Sequence, residues 1–437
     1  MRYTIADIVV EGIAYKQVLN FSLEQRIGEH AKCLLELELS GLVAAAASFF
    51  RTKICVRINK GDAPVLFYGV IVRYEKISDR DYPSYRFEAY SCSYLLDIQP
   101  KNATFQQTQK LIGDLIRQVA GGKANIYFGV TDRPIGSWAY QNQETDWKFI
   151  IRLASMCQAV VMTNVTTQTP VISIGRTGKH QTGPIQVIET YNTGGKTVYR
   201  TFTPMELGMM VFGGDCISYV RTFCLGGMIV SDYIASGRTE FTTTVQFNPA
   251  TECIMLKGTV TEVQKEKVKV FFDSVDGEQD AASDTWFEYC TPYATGGGAF
   301  GSGFYCMPEV GDEVRVFIPS ADESKAFAFG TVGSGQLSDP KIAQWKMPEG
   351  QELIFTKNGI VIDCGMSKVY INMKPGEGIK IGSNSTIAMD CQDRITLYGK
   401  DGVILHGENK LLLKSSQDMI SVWEDQIVVN ATAMKMN

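Results

Sequence analysis

The stretch from about Trp345 to Asn437 constrains this chain most, because it is a run of short apolar pulses. They are Gly359-Ile360-Val361-Ile362-Asp363, Val369-Tyr370-Ile371-Asn372-Met373, Ile379-Lys380-Ile381-Gly382, Ile387-Ala388-Met389-Asp390, Ile395-Thr396-Leu397, Val403-Ile404-Leu405, Leu411-Leu412-Leu413, Ile420-Ser421-Val422 and Ile427-Val428-Val429. Their centres recur roughly every eight to nine residues, the range of a β-structural array. Most alternate apolar and polar side chains, the period of a strand and not of a helix. Gly, Asn, Asp and Ser fill the gaps, as turns require.

Such strands cannot stabilise themselves alone. Each has a narrow apolar face, and an open strand edge invites pairing. Closure comes either from coiling into a solenoid or from wrapping identical chains around one axis. The tail reads as one third of an intertwined trimeric β-helix or prism. An ordinary antiparallel β-domain is the plainer alternative.

The remaining totals narrow the class. With 437 residues and 45% hydrophobic content, the chain is long enough for several domains with ample cores. A net charge of −5, with both signs interspersed and no polybasic run, argues against a nucleic-acid binder and against an anionic membrane surface. Met1-Arg2-Tyr3-Thr4-Ile5-Ala6-Asp7 lacks the apolar core of a secretory leader. Ala44 to Phe50 is apolar but too short to span a bilayer. A soluble protein made in the cytoplasm is expected. The 11 cysteines are odd in number, widely spaced and without a Cys-x-x-Cys pair, which argues against a disulfide framework or a zinc cluster. Most sit in runs such as Lys53-Ile54-Cys55-Val56 and read as small buried hydrophobes.

Upstream of the tail, residues 1 to about 100 read as strands, at Phe21–Arg26, Cys33–Leu39, Thr52–Ile58, Val65–Tyr74 and Tyr85–Tyr90. Turns are expected at Gly61-Asp62 and from Asp79 to Pro83. A helix follows, capped by Thr104, with Leu111, Ile112, Leu115, Ile116 and Val119 on one stripe and Gly121-Gly122 as its stop. A second helix runs from about Thr145 to Cys157, with Glu144 and Asp146 at its positive end. Thr203-Pro204-Met205-Glu206 resembles a capping box and predicts at most one helical turn. Residues 160 to 245 otherwise read as short strands with Gly-Gly breaks. A linker is placed near Phe247-Asn248-Pro249. Five strands then follow, at Cys253–Gln264, Lys267–Phe272, Thr285–Cys290, Val314–Ile318 and Ala326–Val332, a spacing that suits an OB-fold.

Signals for chemistry are weak. Gly296, Gly298 and Gly301 match the dinucleotide pattern formally, but Pro308 and Gly311 follow where that motif needs a helix. The histidines are His30, His180 and His406, and none falls in a metalloprotease or nucleophile-elbow motif. A Ser/His/Asp triad assembled from distant positions stays open, though structural or solvated roles fit all three better. Glu424-Asp425, and Asp390 with Asp393, sit at turns of the tail and read as a solvated exterior. No catalytic, cofactor or metal site is expected.

The blocks together resemble the VgrG-type spike proteins of contractile injection systems, a group spanning type VI secretion, extracellular injection particles and contractile phage tails. Glu144 to Ala154, with Asp146 and Trp147, is similar to the family's acidic-Trp helix. Gly258 to Phe272, Trp286 to Tyr293, and Pro308-Glu309-Val310-Gly311-Asp312-Glu313-Val314 are similar to its OB block. The resemblance implies a fold that is mainly β with a few helices: a hub of β-barrel-like subdomains over 1–246, an OB-fold neck over 247–335 and an intertwined trimeric β-helix spike over 336–437. It also implies a homotrimer whose partners are the inner tube protein and baseplate proteins, with a PAAR-like tip protein and effector cargo. Contact with a target membrane would come only on puncture, when the particle is translocated or released. In such a prism the pulses' Ile, Val, Leu and Met would point inward. Ala433, Met434 and Met436 are the candidate contacts for a tip cap. Gly333 to Trp345 is too short to hold an enzyme, so an unarmed spike is expected. Two other classes stand beside it, a trimeric tail-fibre-like adhesin and a glycan-active β-solenoid enzyme. For the latter, Tyr370, Tyr398 and Trp423 are sparse.

Overall fold

The computed structural model describes residues 2–39, 48–60, 65–78, 83–176, 185–211, 213–272, 275, 283–292, 294–295, 302–303, 305–331, 339–365, 368–422 and 426–435. The Gly296/Gly298/Gly301 pattern, His180, Tyr293, Trp423, Glu424-Asp425, Met436, the Gly61-Asp62 turn and most of the Asp79–Pro83 turn lie outside them. The chain divides into two compact units, Met1–Val332 and Gly333–Asn437.

In the first unit, alternation sets the strands. They are β1 (Ile8–Glu11), β2 (Gln17–Arg26), β3 (Lys32–Glu38), β4 (Lys53–Ile58), β5 (Val65–Ser78) and β6 (Ser84–Ser91), followed by β7 (Pro100–Phe105), β8 (Asn125–Phe128) and β9 (Ala139–Thr145). Next come β10 (Val161–Thr163), β11 (Val171–Ile174), β12 (Val187–Thr193), β13 (Lys196–Thr201), β14 (Cys216–Leu225) and β15 (Met228–Ser236). Ten of them share one continuous sheet, in the order β1-β4-β5-β6-β3-β2-β14-β15-β13-β12. On β3, Cys33, Leu35 and Leu37 are buried on one face while their neighbours lean outward, the two-residue period of a half-buried strand. Phe21, Phe67 and Phe87 join them in the core.

Two helices and the small sheet β10-β11-β8 form a second core. Helix α1 (Ile112–Ala120) buries Ile112, Leu115, Ile116 and Val119 of the predicted stripe, while Leu111, its first member, lies before the helix and is 40% exposed. It ends at Gly121, whose φ of 56° is the left-handed cap that glycine adopts without strain. Thr104 does not cap it. Thr104 lies in β7, opposite Tyr140 of β9, because the ladder claims its backbone, and the cap position falls to Leu111. Helix α2 (Asp146–Met156) starts at Thr145, whose hydroxyl accepts the Lys148 N–H at 3.3 Å. Thr203–Glu206 forms no helical turn. Met205 is buried there with Ile217, Val220 and Tyr233, so packing sets that backbone.

A closed barrel completes the unit, ordered β16-β17-β18-β22-β21. Its strands are β16 (Ile254–Gln264), β17 (Lys267–Phe271), β18 (Phe287–Cys290), β21 (Glu313–Ile318) and β22 (Phe327–Thr331), with the short hairpin β19 (Ala294–Thr295) and β20 (Ser302–Gly303) between them. Val260, Val268, Val270, Val314, Val316 and Ile318 fill its interior.

The second unit holds two antiparallel meanders. One runs β23 (Ala343–Lys346), β24 (Glu352–Thr356), β25 (Gly359–Asp363), β26 (Val369–Lys374), β27 (Gly378–Ser383). The other runs β28 (Leu411–Lys414), β29 (Met419–Val422), β30 (Ile427–Asn430). Between them, the pulses at Ile387, Ile395 and Val403 form no strand. Within one chain they have no neighbouring strand to complete a ladder, and a lone strand leaves its backbone groups unpaired. Nor does one chain bury the pulses. Ile379 is 70% exposed, Ile427 69% and Ile404 93%.

Candidate functional site

The acidic-Trp motif builds a joint between the helical layer and the barrel. Asp146, buried at the start of α2, pairs with Lys101 Nζ at 2.7 Å and accepts from Gln141 Nε2 at 3.2 Å. Trp147 is buried against the His30 ring, with centroids 4.3 Å apart. One turn on, Arg152 lies on the same arc as Phe149 and points into the protein, 5% exposed. Its guanidinium donates to Glu144 Oε2 at 3.0 Å, to the Tyr140 carbonyl at 2.8 Å and to Glu323 Oε1 at 2.6 Å. Burial pushes the Glu144 carboxyl above the ordinary glutamate range, against the pull of Arg152. Burial also works against the Arg152 cation, but the two carboxylates outweigh it and raise its pKa.

Around this ion cluster the two layers interlock. Trp138 stacks on Phe272 at 5.6 Å, meets Phe287 edge-on at 5.2 Å and donates its Nε1–H to the Glu323 carbonyl at 2.8 Å. Gln106 donates to the Val270 carbonyl, and Thr285 Oγ1 donates to the Gln106 carbonyl. Asn142 and Asn248 each donate to a backbone carbonyl across the linker, those of Ala250 and Asn142. Glu144 and Arg152 fall within the acidic-Trp motif, but Trp138 and Glu323 lie in no motif of the sequence, and only the fold brings the four together. An arginine on the apolar stripe of α2 is a usable signal, because a buried guanidinium demands carboxylate partners.

The barrel motifs have local structural causes. A Cβ on Gly258 would sit 2.3 Å from Val270 Cγ1 and 2.7 Å from the Phe271 carbonyl, so only glycine fits there. Gly311, at φ 97°, makes the turn into β21, and its N–H reaches the Val260 carbonyl at 2.8 Å. Asp312 accepts the Glu309 N–H at 2.8 Å, and its carbonyl accepts from Val260 N–H. Pro308 is buried beside that turn. Glu313 pairs with Lys257 and with Arg315, and hydrogen bonds from both hold its carboxyl below the ordinary range. Trp286 lies outside the core, with the Lys269 ammonium 4.9 Å from its ring; Phe287 is the inward residue.

His30 forms the centre of a triad-like chain. Its Nδ1 lies 2.8 Å from Ser93 Oγ, and its Nε2 lies 3.4 Å from Asp97 Oδ2, outside hydrogen-bond geometry. Ser93 is fully buried and shares a hydrogen bond with Ser91, so no substrate can reach the hydroxyl. The chain ties the segment after β6 to α2 through Thr145, which donates to Asp97. His406, Ala433 and Met434 are exposed on the second unit. Among the described residues no set of three or more His, Cys, Asp or Glu is grouped to hold a metal ion, and no helix is long and apolar enough to cross a membrane.

On the ten-stranded sheet, an open hollow of about 540 Å³ is lined by both signs of charge, among them Arg26, Arg221, Asp232 and Glu240. Tyr219 lies in it and donates to Glu24 at 3.0 Å. Burial and that hydrogen bond push the Tyr219 phenol up to about 12.

Comparison with known proteins gives the barrel a family. The type VI secretion system/phage-baseplate injector OB domain matches residues 256–332, the closed barrel just described. An E. coli protein, c3393, superposes with a TM-score of 0.54 at 12% identity, over 75% of this chain and 99% of its own. It is described as a component of the type VI secretion system with structural similarity to the T4 bacteriophage tail proteins gp27 and gp5. The chain has the fold of a VgrG-type spike protein. A chain of the half-lidded Francisella PdpA-VgrG complex superposes as well, with a TM-score of 0.54 at 6% identity, over 86% of this chain and 87% of that one. No curated protein matches in sequence. In this VgrG-type fold the acidic-Trp helix and the injector barrel are the two parts that the Arg152 cluster joins.

Proposed function

We propose that three copies of this chain form the central spike and baseplate hub of a contractile injection system. The observation that carries this reading is the exposed apolar side chains of the second unit, Ile379, Ile404 and Ile427 among them. Side chains of this kind, repeated along a whole unit, call for burial by other chains. A threefold closure buries them along one axis and removes the open strand edges.

In this reading, 1–246 is the hub that meets the hexameric inner tube, 247–335 the neck and 336–437 the spike. Sheath contraction drives the tube, and the rigid tip concentrates force on the target envelope. Ala433, Met434 and Met436 meet a small PAAR-like tip protein, and any toxic activity belongs to effector cargo. The buried joint around Arg152 suits a part that transmits thrust, because it locks the helical layer to the barrel without a flexible hinge. The particle assembles in the cytoplasm and is translocated or released on firing.

The test is the solution mass of the purified full-length chain by light scattering on a sizing column. A trimer of a 48.4 kDa chain weighs about 145 kDa, the closed threefold case. A stable monomer would overturn the reading and return weight to a self-closed solenoid.

A further inference from the structure

Asparagine is followed by glycine once in this sequence, at Asn358-Gly359. The pair lies in the tight turn between β24 and β25, where Lys357 and Asn358 connect the paired Thr356 and Gly359. Two features fix glycine at 359. Its φ of 140° favours a residue without a Cβ, and a Cβ placed there would sit 2.0 Å from the Met373 carbonyl oxygen of β26. The Thr356 hydroxyl clamps the turn, accepting the Asn358 N–H at 3.1 Å and donating to the Gly359 carbonyl at 3.3 Å. The Asn358 side chain is exposed, and among the described residues no hydrogen bond holds its carboxamide.

We propose that Asn358 is a modification site, where spontaneous deamidation ages the second unit. The reaction needs only water. The Gly359 backbone nitrogen gives its proton to solvent base and attacks the Asn358 side-chain carbonyl carbon. A C–N bond forms, the side-chain nitrogen leaves as ammonia, and a cyclic succinimide remains. Water then opens the ring at either carbonyl, giving aspartate or isoaspartate, and nothing is oxidised or reduced. Glycine speeds the attack because no side chain shields its nitrogen, and an exposed, unheld carboxamide is free to swing onto it. The exposed asparagines Asn384, Asn409 and Asn430 of the same unit precede Ser385, Lys410 and Ala431, whose Cβ atoms hinder that step. The fold gives the change a consequence. In the isoaspartyl product the main chain runs through the former side chain, which adds a methylene to a two-residue connection. The Thr356–Gly359 pair then loses its register just where Gly359 packs closely on the Met373 carbonyl, and that end of the first meander frays. Every group involved belongs to one chain, so the proposal stands apart from the threefold reading.

The experiment is incubation of the purified full-length chain in mildly alkaline buffer, with timed peptide mapping by mass spectrometry and methyl labelling by an isoaspartyl methyltransferase. The expected result is loss of the amide at Asn358, seen as an amide-to-acid mass gain split between two chromatographic forms, of which the isoaspartyl form takes the label. Asn384, Asn409 and Asn430 are expected to keep their amides over the same time. Asp401-Gly402 isomerises through the same ring without a change in mass, so the mass of the Asn358 peptide decides. An Asn358 that keeps its amide in the folded chain overturns the proposal, and a parallel sample in urea shows whether the turn or the local sequence protects it. Amide loss spread evenly over all these asparagines also overturns it. Hydrogen exchange on the aged samples reads the hairpin. The parent is expected to lose protection at the facing ends of β24 and β25, and Asn358→Ser, which cannot form the ring, to keep it. Equal protection in the two aged chains overturns the fraying.

Discussion

Arg152 Nη1 and Glu323 Oε1 lie 2.6 Å apart, with the two side chains only 6% and 7% exposed. They are far apart in sequence and come from different layers, one from the helix after β9 and the other from the short turn before β22. Their meeting, with Glu144 on the other side of the guanidinium, makes one body of the helical layer and the barrel.

Arg152→Met should therefore be costly. It leaves two carboxylates buried without their cation, and removing one member of a buried cluster typically costs about 3–5 kcal/mol. The triple variant Arg152→Met/Glu144→Gln/Glu323→Gln should melt well above the single variant, since no buried charge is then left alone. Chemical denaturation checks both. A single variant as stable as the parent would show the cluster to be energetically idle.

Trp138→Ala tests the apolar half of the same joint. The indole lies against Phe272 and Phe287 and donates to the Glu323 carbonyl. Emptying that space should cost about 3–5 kcal/mol, in line with large aromatic truncations. Limited proteolysis should also cut sooner around 246–253. Stability lost with no change in cleavage there would place the damage within the barrel and not at the joint.

Tyr219 gives a pH signature. Its phenol titrates near 12 in the folded chain, against an ordinary 10.0, because burial and the hydrogen bond to Glu24 favour the neutral form. The folded pKa is raised, so the stability it contributes is fully present below about 10 and is lost as pH rises through the folded value. Tyr219→Phe should remove that share of the alkaline slope. Absorbance titration of the phenols should lose one late-titrating group, and a profile identical to the parent's would refute the assignment.

The strands that carry their own period were legible in the sequence. On β3 and in the barrel, apolar residues alternate because one face meets a core, and the predicted bounds fall within a few residues of those observed. Gly258 and Gly311 were legible as motif positions, but the reasons are three-dimensional, a Cβ clash with Val270 and a left-handed turn. Thr104 misled because a good capping residue is also a good strand residue, and the ladder to β9 decided it. The Arg152 cluster escaped notice because its partners are distant in sequence and only the fold brings them together. The tail was legible as strands only where one chain supplies both sides of a ladder. At Ile387, Ile395 and Val403 the pattern is as clear, yet the pairing it needs is absent from a single chain.

That stretch supplies the sharpest test of the assembly. Ile404 is 93% exposed in the single chain, so Ile404→Asp should leave the fold of an isolated chain untouched. In a closed threefold prism the same residue stands three times around one axis. An uncompensated carboxylate there costs several kcal/mol or shifts its pKa until it is neutral. Ile404→Asp should therefore lower the trimer's thermal stability and shift its mass toward monomer, with partial recovery at acid pH as the carboxyl protonates. Deleting 345–437 should weaken trimerisation in the same direction. Lys435→Asp, a charge change beyond the last strand, is the control and should leave the mass unchanged. If Ile404→Asp trimerises and melts as the parent does, Ile404 faces solvent in the assembly too, and the inward assignment of the tail's pulses falls.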